Sequence, residues 1–139
     1  MTITRGVRNN NPGNIDYVSA NKWRGQLPPN PAIEKRFARF DTPENGIRAL
    51  CKLLLTYQNK YGLKTVKDII SRWAPSAEND TAAYVRAVEL SIGIRSGVEV
   101  DLCNEGVMKG FVKAIIHHEN AGFEYPQAVL DEGVRRGLT

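Results

Sequence analysis

The sequence predicts an α+β domain that is mostly α-helical, with a helical lobe and a small lobe of loops and short strands. From residue 43 onward, apolar side chains recur every three or four positions, which is the period of an amphipathic helix. Residues 6–31 are instead dense in Asn, Gly and Pro, so this segment is expected to be loop-rich with a small hairpin. A length of 139 residues matches one domain with one hydrophobic core. We therefore expect a single domain over residues 1–139.

Five helices are expected from their apolar spacing and their boundary residues. The first is predicted over residues 43–60, because Thr42 can cap it and Pro43 suits the first helical position. A short second helix follows Thr65 and is stopped by Pro75. The others are predicted from Asp80 or Thr81 to about Gly93, over residues 105–119, and after Pro126.

The charge of the chain favours an anionic partner, because the formal charge is +4 and the sequence pI is near 9.2. The basic residues are scattered, with no run of five and none of the aromatic interleaving that single-strand nucleic-acid binders use. The charge alone therefore does not decide between a nucleic acid, a membrane surface and an acidic polymer. The first residues lack a signal-peptide pattern and no apolar run approaches ~20 residues, so synthesis in the cytoplasm without stable membrane insertion is expected.

Metal and redox chemistry have little support in the sequence. Cys51 and Cys103 both fall in apolar stretches without a disulfide framework or metal spacing, so we expect two small buried hydrophobic residues. His117 and His118 are adjacent and cannot both face one site on a helix, and no third ligand stands at metal spacing. We expect no metal and no cofactor.

Glu119 is the most informative residue, because it continues the apolar stripe of the fourth helix. It lies four residues after Ile115 and three after Ile116, where the next side chain would point inward. Burial favours the protonated form of a carboxylate, which is what a general acid requires. The alternative is that the helix has frayed at this point and that Glu119 is solvated or pairs with Arg8 or Lys113.

The end of the fourth helix also carries a family resemblance. Residues 114–123, AIIHHENAGF, resemble the catalytic helix end of lysozyme-like lytic transglycosylases and bacterial glucosaminidases, in which an apolar helix finishes with Glu, then Ser or Asn, then a small residue. Further segments are similar to the glucosaminidase branch: Asn10 to Ile15, Trp23-Arg24-Gly25, Phe37 with Phe40 and Asp41, and Glu78 to Thr81 followed by Tyr84. Together these segments cover most of residues 8–123.

The order of these segments differs from that family, in which the catalytic Glu precedes the Asn-rich segment. The resemblance therefore implies a circularly permuted lysozyme-like fold, an arrangement tolerated when the termini lie close together. The RNNNPGNI opening also resembles small phage endolysins and virion-associated murein enzymes. The resemblance implies that the substrate is the glycan strand of peptidoglycan. A monomer is expected, and it would act in the periplasm or from the virion.

The resemblance also assigns roles to individual residues. Glu119 and Tyr84 would be catalytic, with Glu119 protonating the bridging oxygen and then acting as base. Asn10, Asn11, Asn14, Trp23 and Glu78 would contact substrate, Tyr17 would offer a second stacking face, and Trp73 is assigned to the core. Among competing carboxylates, Glu44 is expected to stabilise a helix dipole, and Glu34 and Asp41 are expected to be solvated.

One supported acid favours a lytic transglycosylase, because glycoside hydrolysis usually employs two carboxylates. A hydrolysing muramidase or glucosaminidase with the same site is the alternative within that fold. Two other classes stay open: a non-catalytic virion protein that binds cell wall, and a basic helical nucleic-acid binder, although the clustered basic recognition helix of the latter is missing.

Overall fold

A computed structural model of the chain describes residues 3–75 and 80–139. Six helices lie in this part of the chain: α1 (Arg5–Arg8), α2 (Pro43–Tyr61), α3 (Val66–Trp73), α4 (Thr81–Ile92), α5 (Glu105–Glu119) and α6 (Gln127–Leu138). The expectation of a mostly helical protein is confirmed. Helices α2 to α5 begin and end within two residues of the predicted positions, and α6 begins directly after Pro126 as predicted. The four-residue helix α1 was not predicted.

Short polar side chains fix where the helices begin. Thr42 accepts a hydrogen bond from the backbone of Asn45 at the start of α2, and Thr65 does the same for α3. Asp80 and Asn104 cap α4 and α5 in the same way. Each cap satisfies a backbone N–H group that has no partner inside its helix, which is why the sequence pattern located these boundaries.

Residues 3–42, called here the loop lobe, contain only isolated backbone bridges in their described structure. Asp16 pairs with Phe37 and Gln26 pairs with Phe40, both antiparallel. The segment 36–41 therefore exchanges backbone hydrogen bonds with residues 15–17 on one side and with residues 25–27 on the other. The hairpin expected within residues 6–31 is absent from this lobe, because its extended pieces pair with residues beyond position 31 instead of with each other.

The helices of residues 43–139, called here the helical lobe, enclose the main apolar core. The predicted stripe of α5 is buried throughout, from Met108 to Ile116. The closest approach is between α2 and α6, where Gly133 and Gly137 face Ile47 and Cys51. A β-carbon at Gly133 would lie 2.5 Å from the Cγ2 atom of Ile47, so the α6 backbone packs directly against the Ile47 side chain of α2. No described helix is long and apolar enough to cross a bilayer.

The two cysteines differ, which corrects the expectation that both are buried. Cys51 lies in the α2 core, and burial raises its pKa to about 12. Cys103 is exposed in the turn before α5, where its backbone N–H donates to Asp101. The apolar neighbours of Cys103 in sequence, such as Leu102, point to the opposite side of this turn and are buried.

Glu34 holds the loop lobe together, which corrects the expectation of a solvated carboxylate. Its side chain is 1% exposed and accepts hydrogen bonds from Arg5, from the amide of Asn9, and from the backbone N–H groups of Arg36 and Phe37. The hydrogen bonds from Arg5 hold the pKa of Glu34 far below the usual glutamate value, against the opposing effect of burial.

Replacing Glu34 by Gln is expected to destabilise the protein by about 2 kcal/mol at neutral pH, because charged hydrogen bonds are lost inside the lobe. A carboxylate with a depressed pKa stabilises the fold above its unfolded pKa, about 4.3, and loses this contribution as the pH falls. The difference between wild type and variant should therefore shrink by about 1–2 kcal/mol between pH 6 and pH 3. Urea unfolding of both proteins at both pH values measures this difference in the free energy of unfolding. If the difference did not change with pH, it would contradict the role of the ionised Glu34 in holding the lobe together.

Candidate active site

Glu119 is the last residue of α5, and the helix does not fray before it. Asn120 follows as the cap and joins the helix end to the loop lobe: its amide donates to the carbonyl oxygens of Pro12 and Ile116, and it accepts from Thr4. These bonds are buried or half-buried and fix the backbone on either side of Glu119. Neither basic partner of the alternative interpretation reaches Glu119, since Lys113 pairs with Glu124 and Arg8 with Glu34.

The Glu119 carboxylate is half-buried and accepts a hydrogen bond at each oxygen. The Asn14 amide donates to Oε1 at 3.3 Å, and the Tyr84 hydroxyl donates to Oε2 at 3.3 Å. Asn14 comes from the loop lobe and Tyr84 from α4, so two parts of the chain converge on one carboxylate. Both donors are uncharged, and they orient the group without a cation.

Trp73 fixes the direction of the hydrogen bond between Tyr84 and Glu119. Its indole N–H donates to the Tyr84 hydroxyl oxygen at 3.1 Å. An indole nitrogen can only donate, so the Tyr84 oxygen is the acceptor and its single proton is free to point at Glu119. Oε2 is therefore held as an acceptor, and Oε1 is the oxygen that lies toward Asn14.

Tyr84 lies behind Glu119 and not on the surface that faces solvent. Its side chain is 0% exposed, and its ring stacks on His118 with centroids 3.8 Å apart. Burial and the neighbouring Glu119 carboxylate raise the pKa of Tyr84, so the hydroxyl keeps its proton. Tyr84 is thus placed to position Glu119, whereas the resemblance had implied a catalytic tyrosine.

A groove of about 640 Å³ opens in front of Glu119, between the loop lobe and helices α2 and α3. One wall comes from the loop lobe and mixes polar with apolar side chains; the other comes from the helices and is mainly apolar. The lining residues are Gly13 to Asp16, Val18, Asn21, Trp23, Arg36, Phe37, Leu53, Tyr57, Trp73, Ala74 and Glu119. Its size and its mixture of aromatic and amide groups suit a carbohydrate chain.

Of the three asparagines predicted to contact substrate, only Asn14 lines the groove. Asn11 is fully buried, and its amide donates to the carbonyl oxygens of Ile15 and Ala38. Asn10 donates to the carbonyl oxygen of Phe40. Asn10 and Asn14 have φ values of 52° and 51°, a region that Asn tolerates better than most residues. The segment is therefore mainly turn structure that aims Asn14 at Glu119.

The aromatic residues line two different pockets, and the sequence did not predict which residue lines which. Trp23 lines the groove as predicted, but Tyr17 lines a separate smaller pocket beside residues 28–31. Trp73, assigned to the core, is half-buried and lines the groove, as does Tyr57.

Asp16 is a groove carboxylate that the sequence analysis missed. It is exposed, lines the same groove as Glu119, and pairs with Arg36 at 2.8 Å. The available signal was local: Asp16 lies two residues after Asn14 in the same short segment, and both line the groove on either side of buried Ile15.

The other carboxylates lie elsewhere. Asp41 accepts from the Asn45 side chain, and Glu44 lies in the first turn of α2 as expected. Glu78, predicted to contact substrate, lies outside the described residues. In the part of the chain that the structure describes, no three His, Cys, Asp or Glu side chains are grouped in a way that could hold a metal ion.

The fold and the site define a mostly helical protein with a hydrogen-bonded carboxylate in a groove between two lobes. No protein-family profile matches the chain. Its sequence is 36% identical over 136 residues to Protein P5 of Pseudoalteromonas phage PM2, a match that covers 96% of this chain and 82% of that protein. The chain belongs to the same family as this bacteriophage protein.

Proposed function

We propose that this protein is a phage-type lytic transglycosylase that cleaves the glycan strands of bacterial peptidoglycan, with Glu119 as general acid and base. The observation that carries the proposal is the presentation of Glu119 in a groove by two neutral donors, Asn14 and Tyr84. It would act in the periplasm or from the virion, with no cofactor. The phage relative agrees with such a setting but its name states no activity.

A circularly permuted lysozyme-like fold is part of this proposal. The groove between a helical lobe and a loop lobe supports it, as does the way that the two segments are joined. Asn120 follows the candidate acid and binds the carbonyl oxygen of Pro12, so the AIIHHENAGF and NNPGNI segments touch although about 100 residues separate them. In an unpermuted chain the NNPGNI segment would follow the AIIHHENAGF segment closely, so the same contact would join residues that are near each other in the sequence.

The reaction needs one carboxyl group that first gives and then takes a proton. Protonated Glu119 transfers its proton to the bridging glycosidic oxygen as the bond from that oxygen to the anomeric carbon breaks. A hydroxyl group of the same sugar then attacks the anomeric carbon and gives its proton to the Glu119 carboxylate. The products are a shortened strand and an anhydro sugar end, and Glu119 regains its proton. Oε2 is turned toward the buried Tyr84, whereas Oε1 is turned toward Asn14, which lines the groove, so we assign the transferred proton to Oε1.

Hydrolysis is the second candidate, and Asp16 is the observation that favours it. A second carboxylate in the groove can activate a water molecule in place of the sugar hydroxyl. Asp16 lines the same groove as Glu119 and pairs with Arg36 at 2.8 Å. The product would then carry a reducing end.

Digestion of purified sacculi, with mass spectrometry of the soluble fragments, tests the proposal. We expect anhydro ends from the wild-type protein. If the fragments carry reducing ends instead, the site assignment stands but the reaction is hydrolysis. Asp16→Asn should then abolish fragment release. Binding to sacculi without release of any fragment would contradict both reactions and leave a non-catalytic cell-wall-binding protein.

Removing the Tyr84 hydroxyl is expected to slow the chemical step without weakening substrate binding. Tyr84→Phe leaves Oε2 of Glu119 and the indole N–H of Trp73 without their partner, so kcat should fall about tenfold while KM changes little. Tyr125→Phe is the matched control, because its buried hydroxyl has no hydrogen-bond partner and does not line the groove. A raised KM with unchanged kcat in Tyr84→Phe would contradict a positioning role.

A further inference from the structure

His117 and His118 form a pair near the end of α5 that the proposed reaction does not use. Both are exposed and line a second cavity, of about 530 Å³, between α4, α5 and α6. Among the described residues, this cavity shares no lining side chain with the groove in front of Glu119. A glycan strand in the groove would therefore touch neither histidine.

The two histidines differ in what their rings contact. The ring of His118 stacks on the ring of Tyr84, with centroids 3.8 Å apart and an angle of 28° between the planes. His117 has no aromatic partner within residues 3–75 and 80–139. Tyr84 is 0% exposed although His118 is exposed, so the imidazole covers one face of the tyrosine ring. His118 is thus the outer member of the stack.

The stack holds the part of Tyr84 that its hydrogen bonds leave free. The hydroxyl accepts from Trp73 at 3.1 Å and donates to Glu119 at 3.3 Å, and both bonds end at the same oxygen atom. Neither bond fixes the plane of the ring that carries this oxygen. A second ring at van der Waals distance restricts that plane through many weak contacts. His118 therefore helps to set where the Tyr84 oxygen lies relative to Glu119.

We propose that His118 is a positioning residue for the general acid: its ring holds the ring of Tyr84 and, through the tyrosine hydroxyl, Oε2 of Glu119. The effect on the reaction rests on the proposed function. In the described structure, the His118 side chain neither lines the groove nor hydrogen-bonds to Glu119, so it takes no part in proton transfer. What the site requires at position 118 is a flat ring that can stack, and not an imidazole proton.

The first test needs no substrate, because the chain has two tryptophans whose indole N–H groups give separate NMR signals. The indole N–H of Trp73 donates to the Tyr84 hydroxyl, whereas that of Trp23 is buried without a hydrogen-bond partner. We expect His118→Ala to shift the Trp73 signal in the direction in which Tyr84→Phe shifts it. The Trp23 signal should stay in place. Alanine is favoured in a helix, so the variant should remain folded.

Two matched variants separate the stacked ring from the other properties of a histidine. His118→Phe keeps a ring that can stack and removes the imidazole nitrogens, so both tryptophan signals should stay as in the wild type. His117→Ala removes the neighbouring exposed histidine, which lines the same cavity. It should also leave both signals in place, because His117 does not contact Tyr84 in the described structure.

The second test measures the cleavage of soluble glycan by the same variants. His118→Ala should lower kcat about fivefold with KM unchanged, because Glu119 is held less well while the groove is intact. His118→Phe and His117→Ala should stay within a factor of about two of the wild type. Tyr84→Phe already lacks the hydroxyl that carries the effect, so adding His118→Ala to it should lower kcat little further.

The outcomes separate this inference from the proposed function. An unchanged Trp73 signal in His118→Ala would overturn the positioning of Tyr84 by the stack, whatever the activity. A shifted signal with an unchanged kcat would overturn the connection to Glu119, and a loss of kcat that His118→Phe does not restore would overturn the requirement for a ring. A wild-type protein that releases no fragment would overturn the proposed function, while the NMR test still decides on the stack.

Discussion

Replacing Glu119 by Gln is expected to lower the rate of fragment release from sacculi by about 10²–10⁴-fold, the usual contribution of a general acid or base. The variant keeps the size of the side chain and an oxygen that can accept from Tyr84, but it cannot transfer a proton. The folded structure should change little, because the hydrogen bonds of Asn120 that fix the end of α5 do not involve this group. Initial rates of fragment release measure the effect.

Glu124→Gln is the matched control for this experiment. Glu124 is an exposed glutamate five residues further along the chain, it pairs with Lys113, and it does not line the groove in front of Glu119. Its loss should leave the rate within a factor of about two, as expected for a surface change. Equal activity of wild type and Glu119→Gln would remove Glu119 as the acid and direct attention to Asp16.

The sequence predicts the helices of this fold well, because their signals are local. Thr42 with Pro43, Thr65 and Asp80 each mark a helix start by the hydrogen bonds of one turn, and Gly62 and Gly93 end helices with positive φ. The α5 stripe predicts both a buried face and a groove carboxylate at its end. These are the features that depend on neighbours within about four residues.

The loop lobe could not be predicted in the same way, because its side chains are paired across long separations. Asn11 and Glu34 look like surface residues in the sequence, yet both are buried by partners that lie up to 29 residues away. The positions of Tyr84 and Trp73 were missed for a related reason: Tyr84 was expected to be catalytic but is buried behind Glu119, whereas Trp73 was expected in the core but lines the groove. Helical periodicity gives the side of a helix that is buried, but not whether a hydroxyl on that side reaches a groove.

Replacing Gly46 by Ala is expected to have the largest effect on stability, although it lies within a helix, in the first turn of α2. Alanine is favoured in a helix by about 1 kcal/mol over glycine, so propensity alone predicts stabilisation. In the structure, however, a β-carbon at this position would overlap the backbone carbonyl oxygen of Asn10 and lie 3.2 Å from Pro12 Cδ. Backbone atoms cannot move aside as a flexible side chain can. We therefore expect the free energy of unfolding to fall by about 3 kcal/mol and the melting midpoint to fall by about 10 °C.

The same substitution should also affect the site, because the segment displaced from α2 is the one that carries Asn14. Below its melting midpoint the Gly46→Ala protein should remain folded and release fragments more slowly, since Asn14 would no longer donate to Glu119. Gly106→Ala is the control: this glycine lies in the first turn of α5, where a β-carbon meets only the Asn104 side chain at 3.3 Å. Its stability should stay within about 1 kcal/mol of wild type. A Gly46→Ala protein as stable as this control would show that the loop lobe does not depend on close contact with α2.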